Sequence, residues 1–153
     1  MSLLPLFEWM ESLAVYKSSI YLGPGLNLVH LVSMVTFMGA LLLVDLRLLG
    51  LGLTNYSTPQ VARTARPWLI AGLTGLVLTG IPALMATATQ QYVNQAFWIK
   101  MYILGFAIVF TFTVRSWVTR SDRVSPLLAK ATALVSFMAW MLVAAYARLI
   151  MYL

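Results

Sequence analysis

The stretch that decides the fold is residues 24–51, which read PGLNLVHLVSMVTFMGALLLVDLRLLGL. It is long enough to cross a hydrocarbon core of about 30 Å, a distance that takes roughly 20 helical residues. Its ionisable residues are His30, Asp45 and Arg47. Three more stretches share this character, at about 66–87, 94–118 and 125–152. We therefore expect four transmembrane helices.

The composition excludes a soluble protein. Of the 153 residues, 61% are hydrophobic and 9% are charged, whereas soluble domains average about 45–50% apolar and about 25% charged. A globular domain of this size has too small a core to bury the apolar side chains that a mean hydropathy of +0.89 implies. Because lipid leaves every backbone polar group to be satisfied internally, the spans must be helical. The prediction is a single all-α membrane domain over residues 1–153, a bundle of four transmembrane helices.

Helix-start signals mark where three of the spans begin. Arg66 and Pro67 open the second span, with proline in the first helical turn. Asn94 is a good N-cap for the third span. Ser125 followed by Pro126 caps the fourth.

Residues 3–17 precede the spans and are too short to cross a bilayer. Glu8, Glu11 and Ser12 lie on one side of a helical wheel. The apolar residues share the opposite face: Leu3, Leu6, Phe7, Met10, Leu13 and Ala14. This pattern predicts an amphipathic helix in the membrane interface. A cleaved signal peptide is the alternative, but the segment is acidic and lacks a basic n-region.

Basic residues predict the orientation. They flank the first and third connections: Arg47, Arg63, Arg66, Arg115, Arg120, Arg123 and Lys130. The second connection, around Gln90, Gln91 and Tyr92, carries no charge. The positive-inside rule therefore places both termini on the periplasmic side of a bacterial inner membrane. The net charge of +6 does not indicate nucleic-acid binding, because the basic residues are scattered at the ends of apolar stretches.

Three basic residues from different spans fall at one depth on the outer side, roughly 7–9 Å inside the helix ends. These are His30, Lys100 and Arg148, and Asn27, Tyr102 and Tyr152 are placed to join them. They predict a ligand-binding pocket for an anionic or carbonyl-bearing molecule, such as a quinone, a lipid head group or a cofactor carboxylate.

Two alternatives compete with this outer pocket. Lys100 and Arg148 are long enough to snorkel to phosphates at the interface. Otherwise Glu8 or Glu11 of the N-terminal helix neutralises them, which would fix that helix over the mouth of the bundle.

The inner side holds a second polar set. Asp45 is the only acid within a span, and it lies close in depth to Arg115, Arg47 and Arg66. A carboxylate in a membrane span needs a cationic partner. We expect a structural ion pair, with proton transfer as the alternative role.

His30, Met34, Met38 and Asp45 follow an i, i+4, i+8, i+15 series on one helix face. Imidazole with a thioether suits copper(I) or a haem axial pair. The alternative is that the methionines fill the core, with no cofactor at all. The single histidine excludes bis-histidine haem ligation, and it lies about 22 Å along the helix from Asp45, which excludes a Ser-His-Asp set.

Four segments carry a family resemblance: LVHL at 28–31, VDLRLLG at 44–50, FWIK at 97–100 and ARLIMYL at 147–153. With them the chain resembles an uncharacterised bacterial membrane-protein family of the domain-of-unknown-function class. The resemblance implies a compact four-helix inner-membrane protein with no established activity. More distantly, the chain is similar to copper-resistance D-type and cytochrome b561-like domains, in which a first-helix histidine and a later one bind metal or haem. Arg115 stands where the third helix of such relatives ends near a histidine.

The expected function is non-catalytic. With no cysteine and one histidine, the chain lacks the usual catalytic sets, so we expect an accessory or small-ligand-binding subunit of a larger assembly. Its partners would be the lipid bilayer and either another membrane protein or further copies of itself. The alternative is a haem b or copper carrier that uses His30 with Met34 or Met38. A transporter is disfavoured because the chain has no evident inverted repeat.

Overall fold

The computed structural model describes residues 3–14, 21–121, 123–150 and 152. These residues form seven α-helices and one π-helical segment, and none of them lies in a strand. In chain order the elements are α1 (Leu4–Ser12), α2 (Leu22–Leu49), α3 (Thr58–Ala86), α4 (Ala88–Val93), α5 (Gln95–Phe110), the π segment (Thr111–Arg115), α6 (Ser116–Val118) and α7 (Pro126–Leu149).

Four helices are long and apolar enough to cross a membrane: Leu22–Leu49, Thr58–Ala86, Gln95–Val118 and Pro126–Leu149. The third of these is built from α5, the π segment and α6 in direct succession. The predicted fold class is therefore confirmed, and the chain is a multi-pass membrane protein. The short connections make neighbouring spans antiparallel.

The second span begins earlier than predicted. α3 starts at Thr58, because the Ser57 hydroxyl accepts a hydrogen bond from the Gln60 amide at 3.3 Å and Pro59 fits the first turn. Arg66 and Pro67 therefore lie inside the helix instead of at its start.

The other helix ends follow local capping chemistry. Asn94 accepts a hydrogen bond from the Ala96 amide at 2.9 Å, and Ser125 accepts one from Leu128 at 3.4 Å, so both predicted N-caps are confirmed. α2 runs from Leu22 to Leu49 and stops at Gly50, whose φ of 75° is the left-handed conformation that ends many helices.

The core lies between α2, α3, α5 and α7. α2 packs against α3 and α7, and α7 also packs against α5. Phe37 of α2 meets Trp140 of α7 edge-on, with ring centroids 4.4 Å apart. α2 and α3 approach most closely at Gly72, where a Cβ would lie 2.6 Å from the Phe37 backbone nitrogen. Small residues allow this kind of close helix contact in membranes.

α1 lies against α4, which occupies the second connection. Phe7 is buried, and its ring lies 5.1 Å from Tyr92 and 6.2 Å from Trp98. Leu6, by contrast, is 49% exposed. The apolar face of α1 is therefore divided: Phe7 packs on the protein, and Leu6 is available to lipid.

The predicted placement of Glu11 on the polar face is wrong. Glu11 is half-buried, and its carboxylate accepts hydrogen bonds from the Thr89 amide, at 3.1 Å, and from the Thr89 hydroxyl. It follows Phe7 by four positions and so faces α4 with it. The predicted extension of this helix to residue 17 falls partly on residues 15–17, outside the described residues.

Candidate functional site

The inner polar set centres on one ion pair. Arg115 Nε donates to Asp45 Oδ1 at 2.9 Å, and Arg115 Nη2 donates to the Leu41 carbonyl oxygen at 3.0 Å. Asp45 is 1% exposed and Arg115 is 5% exposed. The structure thus brings together the only acid of the spans and one of the three arginines predicted to meet it.

The other two arginines do not join this pair. Arg47 lies in the last turn of α2, where its Nε donates to the Tyr56 carbonyl oxygen at 2.7 Å. Tyr56 lies in the connection between α2 and α3. The Arg47 guanidinium therefore finds its hydrogen-bond acceptor at the surface and not in the core. Arg66 is exposed on α3.

The buried carboxylate has unused hydrogen-bonding capacity. Asp45 Oδ2 and the Ser136 hydroxyl are both buried without a hydrogen-bond partner among the described residues. A charged carboxylate ordinarily uses both oxygens. The Arg115 guanidinium therefore makes the ion pair with this carboxylate, and the Ser136 hydroxyl is the other polar side chain that acts on it.

The π segment positions Arg115. Thr111 and Arg115 are both buried while the three residues between them are exposed. Trp140 Nε1 donates to Thr111 Oγ1 at 3.0 Å, which fixes the other end of the segment. Such π segments recur at functional sites. Sequence reasoning missed this feature, because neither proline nor glycine marks it.

At the other end of the bundle, which the sequence predicts to be the outer one, a hydrogen-bond chain orients His30. The Thr79 hydroxyl donates to the Gly75 carbonyl oxygen at 2.7 Å, so its oxygen is the acceptor for Nδ1–H of His30, also at 2.7 Å. Neutral imidazole carries one N–H, so Nε2 keeps its lone pair and is the acceptor atom of this ring. Thr79 was not among the predicted site residues, and a hydroxyl one helix away gives no signal in the sequence.

Lys100 is the second member of the outer site. It is half-buried, as is His30. Among the residues that the structure describes, none places a carboxylate within 4.0 Å of its ammonium group. Glu11, one of the two predicted counter-charges, is bound to Thr89.

The remaining predicted ligand residues lie at the surface. Asn27, Arg148 and Tyr152 are exposed, and the Arg148 guanidinium lies 5.5 Å from the centroid of the Tyr152 ring. Of the five predicted ligand residues, His30 and Lys100 are therefore the two that are half-buried, and the structure adds Thr79 as the hydrogen-bond partner of His30.

The two methionines of the stripe, Met34 and Met38, differ in their packing. Met38 packs against the main core and Met34 is half-buried. In the described part of the chain, no three His, Cys, Asp or Glu side chains converge as metal ligands. Met38 therefore has a packing role in this structure.

Comparison with known proteins bears on the family alone. Residues 6–153 match the DUF6644 family, a family of unknown function. The chain belongs to that family. No curated protein and no solved structure matches it. The matched residues include the Asp45–Arg115 pair as well as His30 and Lys100. The family match assigns an activity to neither site.

Proposed function

We propose that this DUF6644 member is a non-catalytic membrane protein that binds a small carbonyl- or carboxylate-bearing ligand at His30 and Lys100. The observation that carries the proposal is a half-buried Lys100 ammonium without a carboxylate within 4.0 Å among the described residues, at the same end of the bundle as a half-buried His30 imidazole with an oriented acceptor nitrogen. A cation inside a membrane span is costly unless an oxygen ligand satisfies it.

The two groups are chemically complementary. Lys100 donates up to three hydrogen bonds, whereas His30 Nε2 accepts one. A ligand that presents a carbonyl or carboxylate oxygen to Lys100 and a hydroxyl to His30 would satisfy both. A protonated carboxylic acid has this pattern, whereas an oxidised quinone offers only carbonyl acceptors and would satisfy Lys100 alone.

The competing explanation is that Lys100 snorkels towards the interface. α5 begins at Gln95, so Lys100 lies about 7–8 Å along the helix from that end. A snorkelling lysine would hold no ligand, and its removal would leave His30 unchanged.

One measurement separates the two explanations. Because the chain has a single histidine, ¹⁵N-histidine labelling in nanodiscs reports His30 alone. We expect a protonated Nδ1, and we expect either a short-chain quinone or octanoate to shift the Nε2 resonance. Lys100→Met should weaken the response roughly tenfold or more, since charge-assisted hydrogen bonds contribute about 1.5–3 kcal/mol.

The matched control is Lys130→Met, which removes an exposed lysine near the start of α7, at the opposite end of the bundle. It should respond like the wild type. If neither probe shifts the Nε2 resonance, or if Lys100→Met responds like the control, the proposal is wrong.

We further propose that the chain works as a subunit of a larger assembly in the bacterial inner membrane. Support comes from its small size, 17.0 kDa, and from the lack of a catalytic set. Native mass spectrometry from mild detergent should release a complex heavier than one chain. A monomer at every protein concentration would contradict this part.

A haem or copper carrier is the second candidate, and the orientation of His30 favours it. Metal-binding histidines commonly donate their other ring N–H to a fixed acceptor, as Nδ1 does to Thr79 here. Met34, one turn further along α2, is the thioether within reach, whereas Met38 lies about 12 Å along the axis. An optical spectrum with a Soret band, or stoichiometric copper that is lost in Met34→Leu, would replace the first proposal with this one.

A further inference from the structure

A separate polar cleft lies at the other end of the bundle, between the first turns of α3 and the π segment. Its volume is about 360 Å³, and Val44 of α2 contributes to its wall. Four of the seven arginines of the chain line it: Arg63, Arg66, Arg115 and Arg120. None of its described lining residues is acidic.

The early start of α3 builds one wall. Pro59, Arg63, Arg66 and Leu69 follow an i, i+4, i+7, i+10 series and so share one face of the helix. This register places the two arginines in the first three turns, where a span meets the membrane boundary, and Leu69 deeper along the same face.

The third span builds the other wall. The π segment carries Arg115, and α6 and the residues after it add Ser116, Thr119 and Arg120. Ser116 is half-buried, and its hydroxyl is a further potential donor at the cleft. Phe112 adds an apolar surface beside these donors.

Among the described residues, carboxylates compensate the charge of the cleft only in part. Asp45 neutralises Arg115, with which it forms an ion pair. For Arg63, Arg66 and Arg120, none of the described residues offers a carboxylate within 4.0 Å. Arg63, Arg66 and Arg120 are exposed, and like charges that line one cleft repel one another. An anion in the cleft would relieve that repulsion.

We propose that this cleft binds the phosphate head group of an anionic membrane lipid. A guanidinium group can donate two parallel hydrogen bonds to two oxygens of one phosphate. Basic pockets between transmembrane helices are known recognition sites for such head groups. Leu69 and Phe112 give the acyl chains an apolar path along the same walls. The site is at the opposite end from His30 and does not depend on the function proposed there.

The test compares two double variants with the same loss of charge. Arg63→Gln/Arg66→Gln alters the cleft, whereas Arg123→Gln/Lys130→Gln removes two exposed cations at the same end that do not line it. Each protein is purified from nanodiscs containing phosphatidylglycerol, cardiolipin and phosphatidylcholine, and retained lipids are counted by native mass spectrometry.

We expect the wild type and the Arg123/Lys130 variant to retain an anionic lipid selectively, and the Arg63/Arg66 variant to retain it at least about tenfold less. Millimolar inorganic phosphate should not displace it. Equal loss in both double variants would mean that only general interfacial charge attracts the lipid, and would overturn the proposal. Failure of the wild type to select anionic lipid would overturn the proposal as well. Displacement of the lipid by inorganic phosphate would mean that the ligand of the cleft is a soluble phosphate and not a lipid.

Discussion

At the scale of single residues, the structure is governed by the cost of charge in lipid. Asp45 is 1% exposed, and its charge is paired with the Arg115 guanidinium at 2.9 Å. Removing one partner of a buried pair costs more than removing both, since it leaves an uncompensated charge. The same reasoning makes Lys100 a candidate ligand residue.

We predict that Arg115→Met lowers the free energy of unfolding by about 3–5 kcal/mol, because it leaves the Asp45 charge buried and alone. Asp45→Leu/Arg115→Met should be more stable than Arg115→Met. Arg47→Met, which removes a hydrogen bond to an exposed carbonyl, should cost about 1 kcal/mol. Chemical unfolding in detergent micelles measures all three. Equal losses for Arg115→Met and Arg47→Met would contradict the assignment of the pair as a core clamp.

The partner of Asp45 could be predicted from the sequence only in part. The need of a lone carboxylate for a cation points from Asp45 to a nearby arginine, and depth along the helices narrows the choice to three. The choice of Arg115 among them depends on the π segment, which no proline or glycine announces. Thr79 escapes prediction for a similar reason: its bond to His30 joins residues 49 positions apart.

At the scale of elements, helix starts follow local chemistry and helix contacts do not. Ser57 and Pro59 are the cap and first-turn proline of α3, so the start at Thr58 was readable from the sequence. The expected start at 66 relied on Arg66 and Pro67 instead, which lie inside the helix. By contrast, the docking of α1 through Glu11 joins residues 78 positions apart, and a helical wheel cannot reveal that contact.

The crossing of α2 and α3 depends on Gly72. A Cβ there would lie 2.6 Å from the Phe37 nitrogen, so Gly72→Ala must push the two backbones apart. We predict a loss of about 1–3 kcal/mol in the free energy of unfolding. Gly105 has no neighbouring atom within 4 Å of an added Cβ, so Gly105→Ala should be neutral or stabilising by up to about 1 kcal/mol. The reverse order of stability would refute the close crossing.

The docking of α1 depends on Phe7. Phe7→Ala removes a buried ring from contact with Tyr92 and Trp98, a change that typically costs 3–5 kcal/mol. We expect faster amide hydrogen exchange in α1 and α4, with the four spans unaffected. Leu6→Ala changes a side chain that is 49% exposed and should leave exchange unchanged. Similar exchange in both variants would argue against a docked α1.

At the scale of the whole molecule, the two ends of the bundle differ in chemistry. One end has the oriented His30, the half-buried Lys100 and α1 docked on α4. The other has the arginine-lined cleft and the Asp45–Arg115 pair. We predict that the chain crosses the bilayer four times with the arginine-rich first and third connections on the cytoplasmic side, so that the two proposed sites face opposite sides of the membrane.

Cysteine accessibility tests that claim most directly, since the chain contains no cysteine of its own. Gln90→Cys and Asn55→Cys place single thiols at exposed positions, in the second and first connections respectively. In intact cells with a permeable outer membrane, an impermeant maleimide should label Gln90→Cys at once and label Asn55→Cys only after the inner membrane is opened. Labelling of Asn55→Cys in intact cells, or of both variants alike, would contradict the account.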